Sequence, residues 1–343
     1  MIYTEYTEIK KCIVHSVGNK SEDDGFFLSE STIDLDEITS QTLQKYLLGL
    51  VVSEGYSEFR HESLLIMNEL YAFAGAIFNN ESSFVEMSSN IARHLYACST
   101  HPKIKSGELC VVYFKNVIID TITCDAIGLF KSENKDTFLK VVANGCQSQI
   151  KSDTGININK VDKAAIIFNT NADTGYWVTV IDRTNKASEA KYWTDDFLKV
   201  RPCKNSYNQT ESLISMTREF VAHMPKSAFK ADKAAVINRS KELLRASSIK
   251  LDDYSQVIFE DKEIAQEFIQ YAKEQSTARG AEIEQEISVS QEANRKKTVT
   301  SLTTLKLDSN FDVRIHGGED LLEKGYDEER GMKYYKLYFK EEK

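Results

Sequence analysis

The sequence predicts an α+β protein: an N-terminal, mainly antiparallel sheet domain carrying helices, a helical middle region, and a small C-terminal β hairpin or sheet. Three observations carry this. Between residues 108 and 198, short β-rich runs follow one another across brief turn-forming links, and short links suit antiparallel neighbours. Residues 206 to 279 read as all-helical, and from about 299 the pattern returns to strands.

Taken in order, Ile9-Lys-Lys-Cys-Ile-Val-His-Ser-Val17 reads as a first strand, with Gly25 to Ser29 as its partner. Asp36 is placed to cap a helix running to about Leu50, with Ile38, Leu43, Tyr46, Leu47 and Leu50 facing inward. Residues 61 to 78 read as helical, and Glu86 to Cys98 as a further helix stopped by Pro102. From Glu108 the period becomes two. Pro202 closes that β block, and Pro225 interrupts the helical stretch between Thr210 and Arg245. Leu302 to Leu307 and Phe311 to Ile315 read as a hairpin, and Tyr334 to Phe339 as a last strand. The expected divisions are 1–204 for the α+β core, 205–279 for a helical region with a basic helix, 280–298 for a charged linker or helix extension, and 299–343 for a β-rich subdomain.

Composition bounds the function. The chain has 343 residues, 41% hydrophobic and 28% charged, with only three prolines, which excludes a disordered chain. No apolar run approaches the ~20 residues that cross a bilayer, and the N-terminus lacks the features of a signal peptide. Six cysteines are scattered without a Cys-x-x-Cys pair, as reduced cytoplasmic thiols are. A net charge of −9 argues against indiscriminate coating of nucleic acid, so the distribution of charge matters more than its sum.

That distribution is uneven. Residues 225 to 250 hold seven basic and two acidic side chains. On a helix, Lys226, Lys230, Lys233, Lys241 and Arg245 fall within about a third of the circumference, beside an apolar stripe of Phe229, Val236, Ile237, Leu243 and Leu244. Asp232 and Glu242 fall on the far side. Such a stripe suits a phosphate backbone; its alternative is a solvated face neutralised by carboxylates elsewhere, and residues 251 to 293 hold eleven acidic against three basic residues. Arg295, Lys296 and Lys297 form a second basic cluster.

Catalytic signals are sparse. His94 and Cys98 share a helical face, half of a zinc site at most, and a hydrogen-bonded pair is the plainer reading. Glu319, Asp320, Asp327, Glu328 and Glu329 could gather magnesium, although His316-Gly-Gly-Glu-Asp320 is also ordinary turn chemistry. Phosphate-loop, dinucleotide, nucleophile-elbow and zinc-protease motifs are absent, and no cofactor is implied. Trp177, Trp193, Tyr192, Tyr334, Tyr335 and Tyr338 could stack on bases, but at strand positions they read as packing.

The order of the β block carries a resemblance. Glu108-Leu-Cys-Val-Val-Tyr-Phe114, Asp125-Ala-Ile-Gly-Leu-Phe-Lys131, Gly155-Ile-Asn-Ile-Asn-Lys160, Asp162-Lys-Ala-Ala-Ile-Ile-Phe168, Gly175-Tyr-Trp-Val-Thr-Val-Ile-Asp182 and the Trp-bearing Glu189 to Leu198 resemble the bacterial 37-kDa nucleoid-associated protein family (NdpA-like). Weaker likeness lies in Ile13-Val-His15, His101 to Glu108 and Leu305 to Phe311. The resemblance implies a cytoplasmic protein of the bacterial nucleoid that binds DNA, and it offers no catalytic residues.

The expectation is therefore a non-enzymatic DNA-binding homodimer making weakly selective phosphate contacts through Lys226, Lys230, Lys233, Lys241, Arg245, Arg295, Lys296 and Lys297, on double- or single-stranded DNA and with no membrane partner. Two alternatives stand beside it: a protein-interaction subunit of a DNA-processing or phage-defence complex, and a metal-dependent nuclease using the 316–329 carboxylates.

Overall fold

Consecutive apolar residues, such as Val111-Val112 and Ile166-Ile167, put buried side chains on both faces of their strands, so the sheet they form is covered on both sides. The computed structural model describes residues 2–3, 6–49, 55–119, 122–144, 147–182, 192–224, 230–298, 304–307, 310–314 and 321–341. The chain divides into two compact units, 1–203 and 204–343.

In unit 1 the strands are β1 (Ile2–Tyr3), β2 (Glu8–Val17), β3 (Phe26–Phe27), β4 (Ser57–Phe59), β5 (Gly107–Ile119), β6 (Ile122–Ser132), β7 (Lys135–Asn144), β8 (Gln147–Ile156), β9 (Lys163–Phe168), β10 (Trp177–Asp182) and β11 (Val200–Pro202). Nine of them form one sheet in the order β11-β4-β10-β9-β6-β5-β2-β3, with β1 also on β5. The described pairings are all antiparallel. Helices α2 (Glu69–Asn79) and α3 (Phe84–Cys98) bury Leu70, Ile77, Phe84, Ile91 and Leu95 against one face, where Ile13, Val111, Ile127 and Ile167 point. Helix α1 (Glu37–Leu48) brings Leu47 and Leu48 to the other face, against Val112, Phe114 and Ile166.

Asp36 caps α1 through Thr39 N at 2.8 Å, as its sequence position suggests. Ile38, expected inward, is 78% exposed, because it lies in the first turn before the helix meets the sheet; Leu50 lies outside the described residues. The helical reading of 61–78 holds only from Glu69, after a single 3₁₀ turn at Leu65–Met67.

Two further departures lie in the β block. Residues 135 to 156 form β7 and β8, a two-stranded ribbon of its own that does not join the nine-stranded sheet. Tyr192–Leu198 is a π-helix and not a strand; it buries Tyr192, Trp193, Phe197 and Leu198 on the α3 side of the sheet. Trp193 Nε1 donates to Ala164 O at 3.2 Å, and Trp177 stacks on Tyr56 at 4.9 Å, so both tryptophans are packing residues.

Unit 2 contains α4 (Ser206–His223), α5 (Lys230–Leu243), β12 (Ser248–Lys250), α6 (Leu251–Phe259), α7 (Lys262–Ala278), β13 (Glu286–Ser288) and α8 (Gln291–Thr298) around Leu213, Met216, Leu244, Tyr254, Ile258 and Phe268. The stretch expected as a linker or helix extension therefore includes β13, paired with β12, and α8, and it buries Ile287 and Ala293. Two hairpins follow: β14 (Thr304–Leu307) with β15 (Phe311–Arg314), and β16 (Leu322–Asp327) with β17 (Met332–Leu337).

Candidate nucleic-acid interface

The rotation of α5 about its own axis decides where its cations point. Val236, Ile237, Ser240 and Leu244 are buried, which matches most of the apolar stripe read from the sequence. A cluster of three hydroxyls fixes that rotation. Tyr254 OH meets Ser240 Oγ at 2.6 Å and Thr217 Oγ1 at 2.9 Å, and Thr217 donates onward to Leu213 O, tying α6, α5 and α4 together. A buried hydroxyl with every partner in place is specific in direction as well as favourable in energy.

With α5 so fixed, its cations meet different fates. Lys233 Nζ donates to Met224 O at 3.1 Å and to Ala222 O at 3.3 Å, so its charge sits on the carbonyl end of α4. Arg239 does the same for α6, giving two hydrogen bonds to Ile258 O and pairing with Glu260 at 3.3 Å. Arg245, expected on the helix, lies in the turn two residues past the end of α5, where it pairs with Glu242 at 2.8 Å although the helical wheel put that carboxylate on the far side. Lys230 is the first residue of α5, and Lys226 lies outside the described residues.

Lys241 is placed differently. It lines a narrow crevice with Ile214, Arg218, Ile237, Ser240, Leu244 and Asn294, where α4, α5 and α8 meet. Helix α8 is held there by its amides. Asn294 Nδ2 donates to Leu244 O at 2.8 Å, and Gln291 Nε2 reaches Leu244 O and Ala246 O, each at 3.2 Å. These donors occupy carbonyls that the end of α5 would otherwise leave orphaned. Arg295 follows Asn294 and is exposed, with its Nε donating to Gln291 O; Lys296 and Lys297 are the next two residues of α8. The two basic segments, far apart in sequence, are thus neighbours in unit 2. Arg218 joins them from α4; it lay outside the basic window, and its only sequence signal is its place on the α4 face that also carries Ile214 and Val221.

The other sequence candidates have structural roles. His94 Nε2 bonds Phe197 O at 3.1 Å, and Cys98 Sγ donates to Asp196 O at 3.6 Å, so this pair satisfies carbonyls of the π-helix. Burial pushes the Cys98 thiol up to about 11, which keeps it a donor, and burial also holds His94 below the usual histidine range. Asp327 accepts from Arg330 N at 2.9 Å, ordinary turn chemistry, while Glu319 and Asp320 lie outside the described residues. Among the described residues no group of three or more His, Cys, Asp or Glu side chains is placed to hold a metal ion, and no helix is long and apolar enough to cross a membrane.

Unit 1 holds two charged features that sequence reading did not find. Arg60, His61, Glu62, Asp195, Lys199 and Arg201 line an open cleft of about 450 Å³, in which Lys199 pairs with Glu69 and Arg201 with Glu58, both at 2.8 Å. Buried Lys131 and Lys163 stand directly opposite each other on β6 and β9, with Glu133, Asp182 and the Tyr192 ring around them. In both features cations are balanced locally: Lys131, Lys163, Lys199 and Arg201 each have a carboxylate beside them.

Residues 13–331 match a family model described as nucleoid-associated protein YejK. No curated protein matches the chain.

Proposed function

Because the chain belongs to the nucleoid-associated protein YejK family, we propose that it acts at the nucleoid by contacting DNA itself, through phosphates, with weak sequence selectivity, without catalysis, and as a homodimer. The observation that carries the DNA contact is the meeting of α4, α5 and α8, which brings Arg218 and Lys241 into one crevice with Asn294, and Asn294 is followed on α8 by the exposed Arg295 and the basic end of the helix. Lys233 and Arg239 are committed to helix ends and Arg245 to Glu242, so the contact rests mainly on Lys241, Arg295 and the lysines that follow.

Such a contact gains affinity by releasing condensed counterions, and removing one cation that neutralises a phosphate lowers the salt slope by about 0.9. The test is a fluorescence-anisotropy titration of a DNA duplex across a salt series. The Lys241→Glu/Arg295→Glu variant is expected to lose about two in slope, while Lys233→Met changes it little. Absence of binding at low salt, or an unchanged slope in the double variant, overturns the reading.

A second reading is favoured by the acidic surface of the same unit, where Asp252, Asp253, Glu260, Glu263, Glu267 and Glu274 on and between α6 and α7 point to a protein partner within a DNA-processing or defence assembly. Retention of a stoichiometric protein after nuclease treatment, without DNA binding, would select it.

A further inference from the structure

The β7–β8 ribbon is the most exposed ordered element of unit 1. Among its described side chains only Val142 and Gly155 are less than exposed. Its base is rigid: Asp162 accepts from Glu133 N, Asn134 N and Asn134 Nδ2 at 2.7 to 2.9 Å, and Lys135 pairs with Glu108. A two-stranded ribbon exposed on both faces is marginal in water, so a covering element is expected.

The register separates its two faces. On one lie Thr137, Leu139, Val141, Ala143, Ser148, Ile150, Ser152, Thr154 and Ile156, and the one charge on this face is Lys135 at its base, opposite Ile156 and paired with Glu108. Leu139 is 72%, Val141 68% and Ile150 70% exposed, and Val141 stands directly opposite Ile150 at the centre. The other face carries Asp136, Phe138, Lys140, Lys151 and Asp153, with Lys140 directly opposite Lys151.

We infer that the aliphatic face of the β7–β8 ribbon is where two copies of this chain stack on each other. Branched aliphatic side chains give neither cations for phosphates nor rings for bases, which excludes nucleic acid as the occupant of this face. A two-fold contact sets a surface against itself. Stacking the Val141/Ile150 face on its copy brings no like charges together at its centre, and Lys135 at its base is neutralised by Glu108, whereas the Lys140/Lys151 face would oppose four ammonium groups. The area sets the strength. Ten residues at ~3.4 Å and two strands roughly 10 Å wide give on the order of 350 Å² per copy, below the ~800 Å² per partner of a standard stable interface. The dimer is therefore one that dissociates on dilution.

This assignment rests on the homodimer part of the proposed function, and sedimentation velocity over a concentration series separates the two. Wild-type protein is expected to move from monomer to dimer with rising concentration. Val141→Asp/Ile150→Asp is expected to raise the dissociation constant at least tenfold, with Leu139→Ser weakening it less and Lys140→Glu/Lys151→Glu leaving it within about twofold. Unchanged tryptophan fluorescence confirms that the sheet of unit 1 is intact in each variant. If the wild type dimerises and the Val141/Ile150 variant dimerises as well, the assignment fails and the homodimer stands. If the wild type stays monomeric throughout, both fail. A monomeric wild type whose DNA binding disappears in the Val141/Ile150 variant gives the face to nucleic acid and overturns the inference.

Discussion

Asn68 is a fully buried side chain with four hydrogen bonds at one junction, and its replacement gives a stability test with separable parts. Its Oδ1 accepts from Tyr71 N at 3.0 Å and caps α2. Its Nδ2 donates to Arg60 O at 3.0 Å, Leu198 O at 3.1 Å and Lys199 O at 3.2 Å, joining the ends of β4, the π-helix and β11. Lys199 O also accepts from Arg60 N, so Asn68→Ala chiefly strips Leu198 O and Arg60 O. Losing the cap costs ~1 kcal/mol, and a buried carbonyl left without a donor costs about 1–3 kcal/mol. Arg60 O lies nearer the surface and recovers water, so the sum is about 3 kcal/mol. Asn68→Asp separates the two contributions. It keeps a good cap but cannot donate, and it sets a carboxylate against three carbonyl oxygens. It is expected to cost at least as much as alanine. Both tryptophans belong to unit 1, so urea unfolding followed by tryptophan fluorescence reads this unit alone. An aspartate variant as stable as wild type, with alanine losing only ~1 kcal/mol, would show that the cap is all that Asn68 supplies and would refute the bridging argument.

Two further outcomes follow from unit 1. Burial, aided by the Arg93 guanidinium, pushes His15 down to about 4, so the ring stays neutral in the fold, bonding Ser88 Oγ and accepting from Ser29 N. The unfolded chain takes up that proton near pH 6.5, so stability is fully present above about 6.5 and falls by roughly 3 kcal/mol as the pH drops toward 4. His15→Asn is expected to flatten this pH dependence in the same urea assay, and equal slopes in both proteins would contradict it. At the buried lysine pair, Lys131→Met leaves Glu133 without its cation and is expected to cost about 3–5 kcal/mol, while Lys131→Met/Glu133→Leu costs less than the single change. Strict additivity in that double-mutant cycle would deny the coupling.

What the sequence made legible is what contrast makes legible. Strands β5, β6, β9 and β10 stand out because apolar runs bounded by Gly, Asn and Asp have few other readings, and α1 announces itself through Asp36. The ribbon escaped because its two exposed faces differ in charge more than in hydrophobicity, with Phe138 and Val142 among the charged residues of one face and Thr137 among the aliphatics of the other; Lys135-Asp-Thr-Phe-Leu-Lys-Val-Val reads as neither helix nor strand. Tyr192-Trp193 and Phe197-Leu198 read as β-rich, since bulky aromatics near a turn are strand-like until their partners in α3 are known. For the candidate interface, the basic residues of α5 and α8 were visible as charge. Their division was not: whether Lys233 faces solvent or the end of α4 depends on where α4 stops, and the adjacency of Lys241 to α8 depends on amides nearly fifty residues from the carbonyls they occupy.

The π-helix also governs how the chain enters the last edge of the sheet. A π-turn holds one residue more than the α-turn it replaces, and that surplus is followed at once by Lys199, whose φ of 52° turns the backbone into β11. Side chains on a strand swap sides with every step. Removing a single residue between 192 and 198 would put the chain out of phase, sending Arg201 inward where Val200 now packs and Pro202 to the place where Arg201 meets Glu58. A substitution anywhere in this turn is a local matter, but a one-codon deletion would be a frameshift in space.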